Sequence, residues 1–78
     1  MSDQSKNRDF AYVGDHITLG QLLKAIDYVQ AGGEVKQVLE NELFFVNGDP
    51  ENRRGKKLRE GDIVTLPNRT SVTLKARV

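Results

Sequence analysis

Five positively charged residues lie within seven consecutive positions in the second half of the chain. They are Arg53, Arg54, Lys56, Lys57 and Arg59. Because like charges in one loop repel each other, an external anion often compensates such a cluster. Phosphate is well suited, since each contact releases a condensed counterion and the guanidinium of arginine matches two oxygens at once. The cluster predicts a phosphate-binding loop; the simpler interpretation is a solvated surface in a protein with 29% charged residues.

Two glycines form a second candidate phosphate site. Gly32 and Gly33 precede a predicted helix, and the uncovered amides at the start of a helix can bind a phosphate oxygen directly. The alternative is that the pair only ends the preceding helix and permits a turn. Lys24 and Lys36 lie on the two predicted helices, where they would extend the basic surface of the loop.

The sequence offers little for catalysis. Cysteine is absent and His16 is the only histidine, so a zinc cluster is excluded, and no nucleophile–base pair can be assigned from spacing. Neither a P-loop nor a Gly-x-Gly-x-x-Gly motif occurs. We therefore expect no enzyme activity, no cofactor, no metal site and no small-molecule substrate. The polar N-terminus and the absence of a long apolar segment predict a cytoplasmic protein without membrane contact.

Two helices are expected to position the basic residues. Thr18 and Gln21 have the spacing of a capping box, and apolar residues then recur at helical intervals, which predicts a helix over 18–29. These residues are Leu19, Leu22, Leu23 and Ile26. A second apolar stripe predicts a shorter helix over 34–41.

Strand patterns dominate the rest of the chain. Short apolar runs at 43–46 and 63–66 and an alternating run at 71–78 predict strands, while 10–13 is a possible first strand. Asn47-Gly48 predicts a tight turn. Helices before strands indicate an α+β fold with a small, mainly antiparallel sheet. The length allows one domain, which we place at 9–78 after a disordered tail at 1–8.

The order of these elements resembles the RNA-binding domain named after small-subunit ribosomal protein four, the S-four domain or α-L RNA-binding motif. The resemblance covers residues 17–66. It rests on Leu19-Gly20-Gln21-Leu22-Leu23-Lys24, Gly33-Glu34-Val35-Lys36, Val46-Asn47-Gly48 and Lys57-Leu58-Arg59-Glu60-Gly61-Asp62-Ile63-Val64. It implies two N-terminal helices in an α-L corner, packed on a small, bent sheet, with the corner and its adjoining loops contacting ribosomal or transfer RNA.

Two departures from the family pattern change the expected contacts. Family members often begin the first helix with Arg-Leu-Asp, where this chain has Thr18-Leu19-Gly20. They often begin the second with Ser-Arg-x-Glu-Ala, where this chain has Ala31-Gly32-Gly33-Glu34-Val35. The arginine that commonly faces RNA is therefore missing, and we expect Lys36 and the basic loop to make RNA contacts in its place. The Gly-Gly version is similar to the small stand-alone bacterial branch, in which no catalytic domain is expected.

The net charge of +1 conceals a segregated distribution, because an acid-rich middle offsets the basic loop. We therefore expect a non-enzymatic, monomeric protein that grips the phosphate backbone of structured RNA, ribosomal or transfer RNA, in association with the ribosome or its assembly. The expected contacts are Lys24, Gly32, Gly33, Lys36, Arg53, Arg54, Lys56, Lys57 and Arg59. The alternatives are a protein–protein adaptor that presents the basic loop to an acidic partner, and a DNA-binding module.

Overall fold

The computed structural model describes residues 6–30 and 32–77. Its elements are β1 (Lys6–Val13), β2 (Ile17–Thr18), α1 (Leu19–Ala25), α2 (Gly32–Asn41), β3 (Phe45–Val46), β4 (Asp49–Pro50), β5 (Lys57–Leu58), β6 (Ile63–Thr65) and β7 (Thr70–Arg77). The α+β class is confirmed. The expectation that the helices come first is wrong, because two strands precede α1.

Five strands form one sheet in the order β1-β7-β6-β3-β4, and β2 pairs with β5 in a second, two-stranded sheet. β1 runs parallel to β7 along its whole length, from Lys6 opposite Thr70 to Val13 opposite Arg77. All other strand pairs are antiparallel, as the predicted sheet required.

The long pairing of β1 with β7 also changes the expected N-terminal boundary. The first residues of β1, Lys6 to Arg8, belong to the segment predicted as a disordered tail, whereas residues 1–5 lie outside the described part of the chain. β1 is an edge strand whose first residues are exposed. Polar side chains suit such an edge. Because a polar segment also looks like a solvated tail, the composition of these residues did not indicate a strand.

Both ends of α1 are closed by local hydrogen bonds. The predicted capping box is present at its start, between Thr18 and Gln21. At its end, the amide of Tyr28 donates to the carbonyl of Leu23 (2.9 Å), and Asp27 has a left-handed φ of 62°. This Schellman-type arrangement ends the helix at Ala25, four residues before the predicted boundary.

The hairpin between β3 and β4 confirms the predicted tight turn. Asn47 and Gly48 have φ of 53° and 87°, as a type I′ turn requires. The side-chain oxygen of Asn47 accepts from the amide of Ile63 (2.9 Å), and its Nδ2 donates to Asp62 (3.0 Å). β4, which contains Pro50, lies at the sheet edge, where the missing amide of proline is tolerated.

One hydrophobic core joins the helices to the sheet. Its fully buried side chains are Phe44, Leu19, Leu22, Leu23, Leu58, Leu74, Val64 and Val72. Tyr28 packs edge-on against Phe44, with ring centroids 5.5 Å apart. α2 contributes Val35 and Leu39 to the same cluster. Among the described residues, no helix has the length and hydropathy needed to cross a bilayer.

Candidate nucleic-acid interface

The basic loop, residues 53–59, is attached to the beginning of α1 through its backbone. The carbonyl of Arg54 accepts from the amide of Gly20, and the carbonyl of Lys56 accepts from that of Leu19, both at 2.9 Å. The hydroxyl of Thr18 accepts from the next amide, that of Gln21 (3.2 Å). The loop therefore satisfies helix amides that would otherwise lack partners, and its backbone is held while its side chains remain available.

Gly20 makes this close approach possible. A Cβ at this position would lie 3.3 Å from three atoms: Cβ and the carbonyl oxygen of Arg54, and Cγ1 of Val35. The sequence analysis named Gly20 within a matching stretch and within a departure from the family pattern, but assigned it no contact with the loop. Its position inside an otherwise strongly apolar helix was the available signal, because a helical glycine often marks a close contact with another segment.

Arg53 is paired within the chain. Its Nε donates to Glu51 Oε2 at 2.9 Å, its Nη2 donates to Oε1 at 3.2 Å, and its amide donates to Oε2 at 3.0 Å. The side chain of Glu51 is only 11% exposed, whereas that of Arg53 is 72% exposed. The side-chain hydrogen bond from Arg53 lowers the pKa of Glu51. Arg53 is thus oriented by a carboxylate that the sequence analysis did not associate with it.

Arg59 is also paired, at the opposite end of the loop. Its Nη2 lies 3.3 Å from Oδ2 of Asp15, which also lies 3.2 Å from Nδ1 of His16. The pKa of Asp15 is lowered, first by its hydrogen bond with His16 and then by the charge of Arg59. The amide of Arg59 donates to Asp62 at 2.8 Å. This anchoring of both ends leaves the centre of the loop to face outward.

The remaining predicted cations come together from three elements. Lys24 of α1 and Arg54 of the loop border a depression of about 290 Å³. Arg54 and Lys36 of α2 border a neighbouring depression of about 350 Å³, which Glu40 also lines. A third depression, of about 500 Å³, lies beside Lys56 and Lys57 and shares Gly55 with the first.

We call these five cations the basic surface. Its residues are Lys24, Lys36, Arg54, Lys56 and Lys57. Within residues 6–30 and 32–77, none of them has a carboxylate within ion-pair distance. Four are exposed and Lys56 is half-buried. The charge of Lys56 helps to lower the pKa of Glu51, but no ion pair forms. The surface therefore presents an excess of positive charge around depressions that share Arg54 and Gly55.

The glycine pair lies at the start of α2, and open space surrounds the position of a Cβ on Gly33. The carboxylate of Glu34 lies in the same turn and accepts from the amide of Gln30 at 2.9 Å. A negative charge near the helix N-terminus is favourable for the helix, but it repels a phosphate at the same place. Phosphate binding by Gly32 and Gly33 stays a prediction.

Comparison with known proteins supports the family resemblance. A family model of the S4 domain matches residues 10–74. A protein described as "Probable ribosome maturation protein RlbA", from Bacillus subtilis (strain 168), is 50% identical over 50 residues, which cover 64% of this chain and 70% of that protein. The match to the family model, over residues 10–74, includes most of the described fold and the whole basic loop. The chain belongs to the S4 domain family, the S-four family that its sequence resembles.

Proposed function

We propose that this protein binds structured RNA through the basic surface and acts in ribosome association or maturation without catalysing a reaction. One observation carries the proposal: five cations from α1, α2 and the basic loop lie around connected depressions and lack carboxylate partners among the described residues. Membership of the S4 domain family and the name of the Bacillus subtilis relative support the same function. We place this activity in the cytoplasm.

The five cations and the two paired arginines are proposed to have different roles. The five residues of the basic surface would contact phosphates directly, each releasing a counterion. Arg53 and Arg59, held by Glu51 and Asp15, would orient the loop and add weaker contacts. In this proposal α1, α2 and the loop act as the α-L corner does in the S-four family. Recognition relies mainly on RNA shape, because the edges of paired bases are poorly accessible in the deep groove of an RNA helix.

A salt titration tests the basic surface. We expect the triple variant Lys24→Ala, Lys36→Ala, Arg54→Ala to bind ribosomal RNA more weakly. Its plot of log affinity against log salt concentration should be flatter by about two to three units, because three phosphate contacts are lost. Filter binding at four or more salt concentrations measures both quantities.

A matched control removes the same charge elsewhere. Arg8, Lys75 and Arg77 lie on β1 and β7, are exposed, and have no ion pair with the described residues. Their triple substitution with alanine should change the slope by less than about one unit. Equal slopes for the two triple variants would contradict the proposal. Duplex DNA of the same length tests the DNA-binding alternative, and equally tight, equally salt-dependent binding would support that alternative instead.

A further inference from the structure

We propose that the depression between α1 and the basic loop, here called the notch, binds one unstacked nucleotide of the RNA. The inference rests on the proposed function and names the class of RNA: a folded RNA with a bulged or extruded nucleotide. The notch is lined by Gly20, Val35 and Gly55, with Lys24 and Arg54 at its rim. Neither the family match nor the name of the relative assigns a ligand to it.

The chemistry of the notch suits a base more than it suits a phosphate. Its accessible surface is mainly carbon, although Thr18 and Gln21 also line it. Its volume of about 290 Å³ lies near the lower end for small-ligand pockets, so it suits one base and not a longer segment. Lys24 and Arg54 also line the depression and supply the positive charge that the phosphates on either side of an inserted base require. Single-stranded bases of RNA are commonly recognised in this way, with an arginine or an apolar surface against the ring.

Gln21 supplies a fixed hydrogen-bond donor at the edge of the notch. Its Oε1 accepts from the amide of Thr18 at 3.0 Å. Because a backbone N–H can only donate, the side-chain atom that contacts Thr18 must be the oxygen Oε1 of Gln21. The nitrogen Nε2 of the same side chain therefore points away from this contact. Nε2 makes no hydrogen bond with the described part of the chain. A donor held by a capping box is well placed to pair with an acceptor on the edge of a base.

Two substitutions disable the notch without disturbing the fold. Gly55 lines the notch, has an ordinary φ and has nothing within 4 Å of an added Cβ, so Gly55→Val adds a bulky side chain at the notch without a clash at Cβ. Gln21→Glu keeps the capping acceptor, since glutamate serves the same role in a capping box, but removes the donor. Ala11→Val is the matched control, because Ala11 is exposed on β1, a strand position that suits valine, and does not line the notch.

The experiment uses the full chain and two RNA hairpins that differ only in one bulged 2-aminopurine. Fluorescence anisotropy gives the affinity for each hairpin, and 2-aminopurine emission reports whether the bulged base changes its stacking. We expect the wild-type protein and Ala11→Val to bind the bulged hairpin roughly tenfold more tightly than the paired one, the scale of one recognised base. In Gly55→Val and Gln21→Glu this ratio should fall towards one. The ratio within each variant removes the effect of the extra charge in Gln21→Glu.

The outcomes separate the notch from the basic surface. The notch proposal is wrong if both hairpins bind with equal, salt-dependent affinity. It is also wrong if the preference for the bulged hairpin persists in both Gly55→Val and Gln21→Glu. Either outcome leaves the proposal about the basic surface standing. Failure of both hairpins and of ribosomal RNA to bind overturns the proposed function as well. Thermal melts of all variants check that each is folded.

Discussion

At the scale of single residues, the basic loop contains more positively charged side chains than it has side chains free of an ion pair. Arg53 donates three hydrogen bonds to Glu51, whose side chain is nearly buried. Arg59 shares Asp15 with His16. A residue in such a pair has part of its donor capacity in use, whereas Arg54 has no carboxylate partner among the described residues. We therefore propose that the paired arginines position the loop and that Arg54 contacts the RNA.

Replacement of Glu51 changes RNA affinity in opposite directions according to whether Glu51 positions the loop or only repels the RNA. Removing a carboxylate from a basic loop should raise RNA affinity if only charge matters. We expect Glu51→Ala to lower RNA affinity by about two- to fivefold, because the loop loses the ion pair and hydrogen bonds that hold its geometry. Filter binding with ribosomal RNA measures the change, and faster exchange of the amide protons of Leu19 and Gly20 reports the loosened loop without RNA.

Glu60 provides the comparison for this prediction. It belongs to the same region, is exposed, and makes no ion pair with any residue described. Glu60→Ala removes the same charge and should leave affinity unchanged or slightly higher, with no change in amide exchange. If Glu51→Ala and Glu60→Ala behave alike, Glu51 has no positioning role.

At the scale of elements, α1 and the basic loop form one unit. The first turn of the helix donates to the loop carbonyls, and the absence of a side chain at Gly20 sets the distance between them. The notch is a direct result of this contact, because Gly20, Gly55 and Arg54 line it together. A change in the contact therefore alters both the stability of the unit and the shape of its surface.

Gly20→Ala tests the contact. Helix propensity alone would make this substitution stabilising by up to about 1 kcal/mol. We expect it instead to lower the free energy of unfolding by about 1 kcal/mol, because the added methyl group meets a backbone carbonyl and a buried valine at 3.3 Å. Urea denaturation measures the change. Gly33→Ala, in α2 and with open space around it, should be neutral or stabilising; a similar loss in both variants would show that the close contact is not the cause.

At the scale of the whole molecule, a few long-range contacts join segments that lie far apart in the chain. β1 and β7 pair along their whole lengths although they lie at opposite ends of the chain. The segments that follow the two helices are linked by Tyr28, whose hydroxyl donates to Glu42 Oε1 at 2.5 Å while its ring packs on Phe44. Burial and the neighbouring carboxylate raise the pKa of Tyr28 to about 12.

This link predicts a loss of stability at alkaline pH. The folded pKa of Tyr28 lies above its ordinary value of 10, so its contribution to stability is complete below pH 10 and is lost as pH rises towards 12. Thermal melts between pH 8 and 11.5 should show a smaller decline for Tyr28→Phe than for the wild type. Tyr12→Phe is the control. If its thermal stability also declines less than that of the wild type, the alkaline loss of stability does not come from Tyr28.

Much of the local structure could be predicted because it depends on residues close together in the chain. The capping box at Thr18 and the tight turn at Asn47-Gly48 lie where the sequence places them. The end of α1 was misplaced because Asp27 adopts a left-handed conformation that Gly or Asn adopts more often. The first residues of β1 were missed because a polar edge strand has the composition of a solvated tail.

The family, the α+β class, the main apolar positions and the dense basic loop could all be predicted from the amino-acid sequence. The arrangement of the charges depends on the folded chain. Folding pairs Glu51 with Arg53 and Asp15 with Arg59, places Lys24 and Lys36 beside two depressions that share Arg54, and forms a notch lined by Gly20. The physical reason is distance along the chain: helix caps and tight turns form between near neighbours, whereas ion pairs, depressions and strand pairing depend on where the folded backbone brings remote segments together.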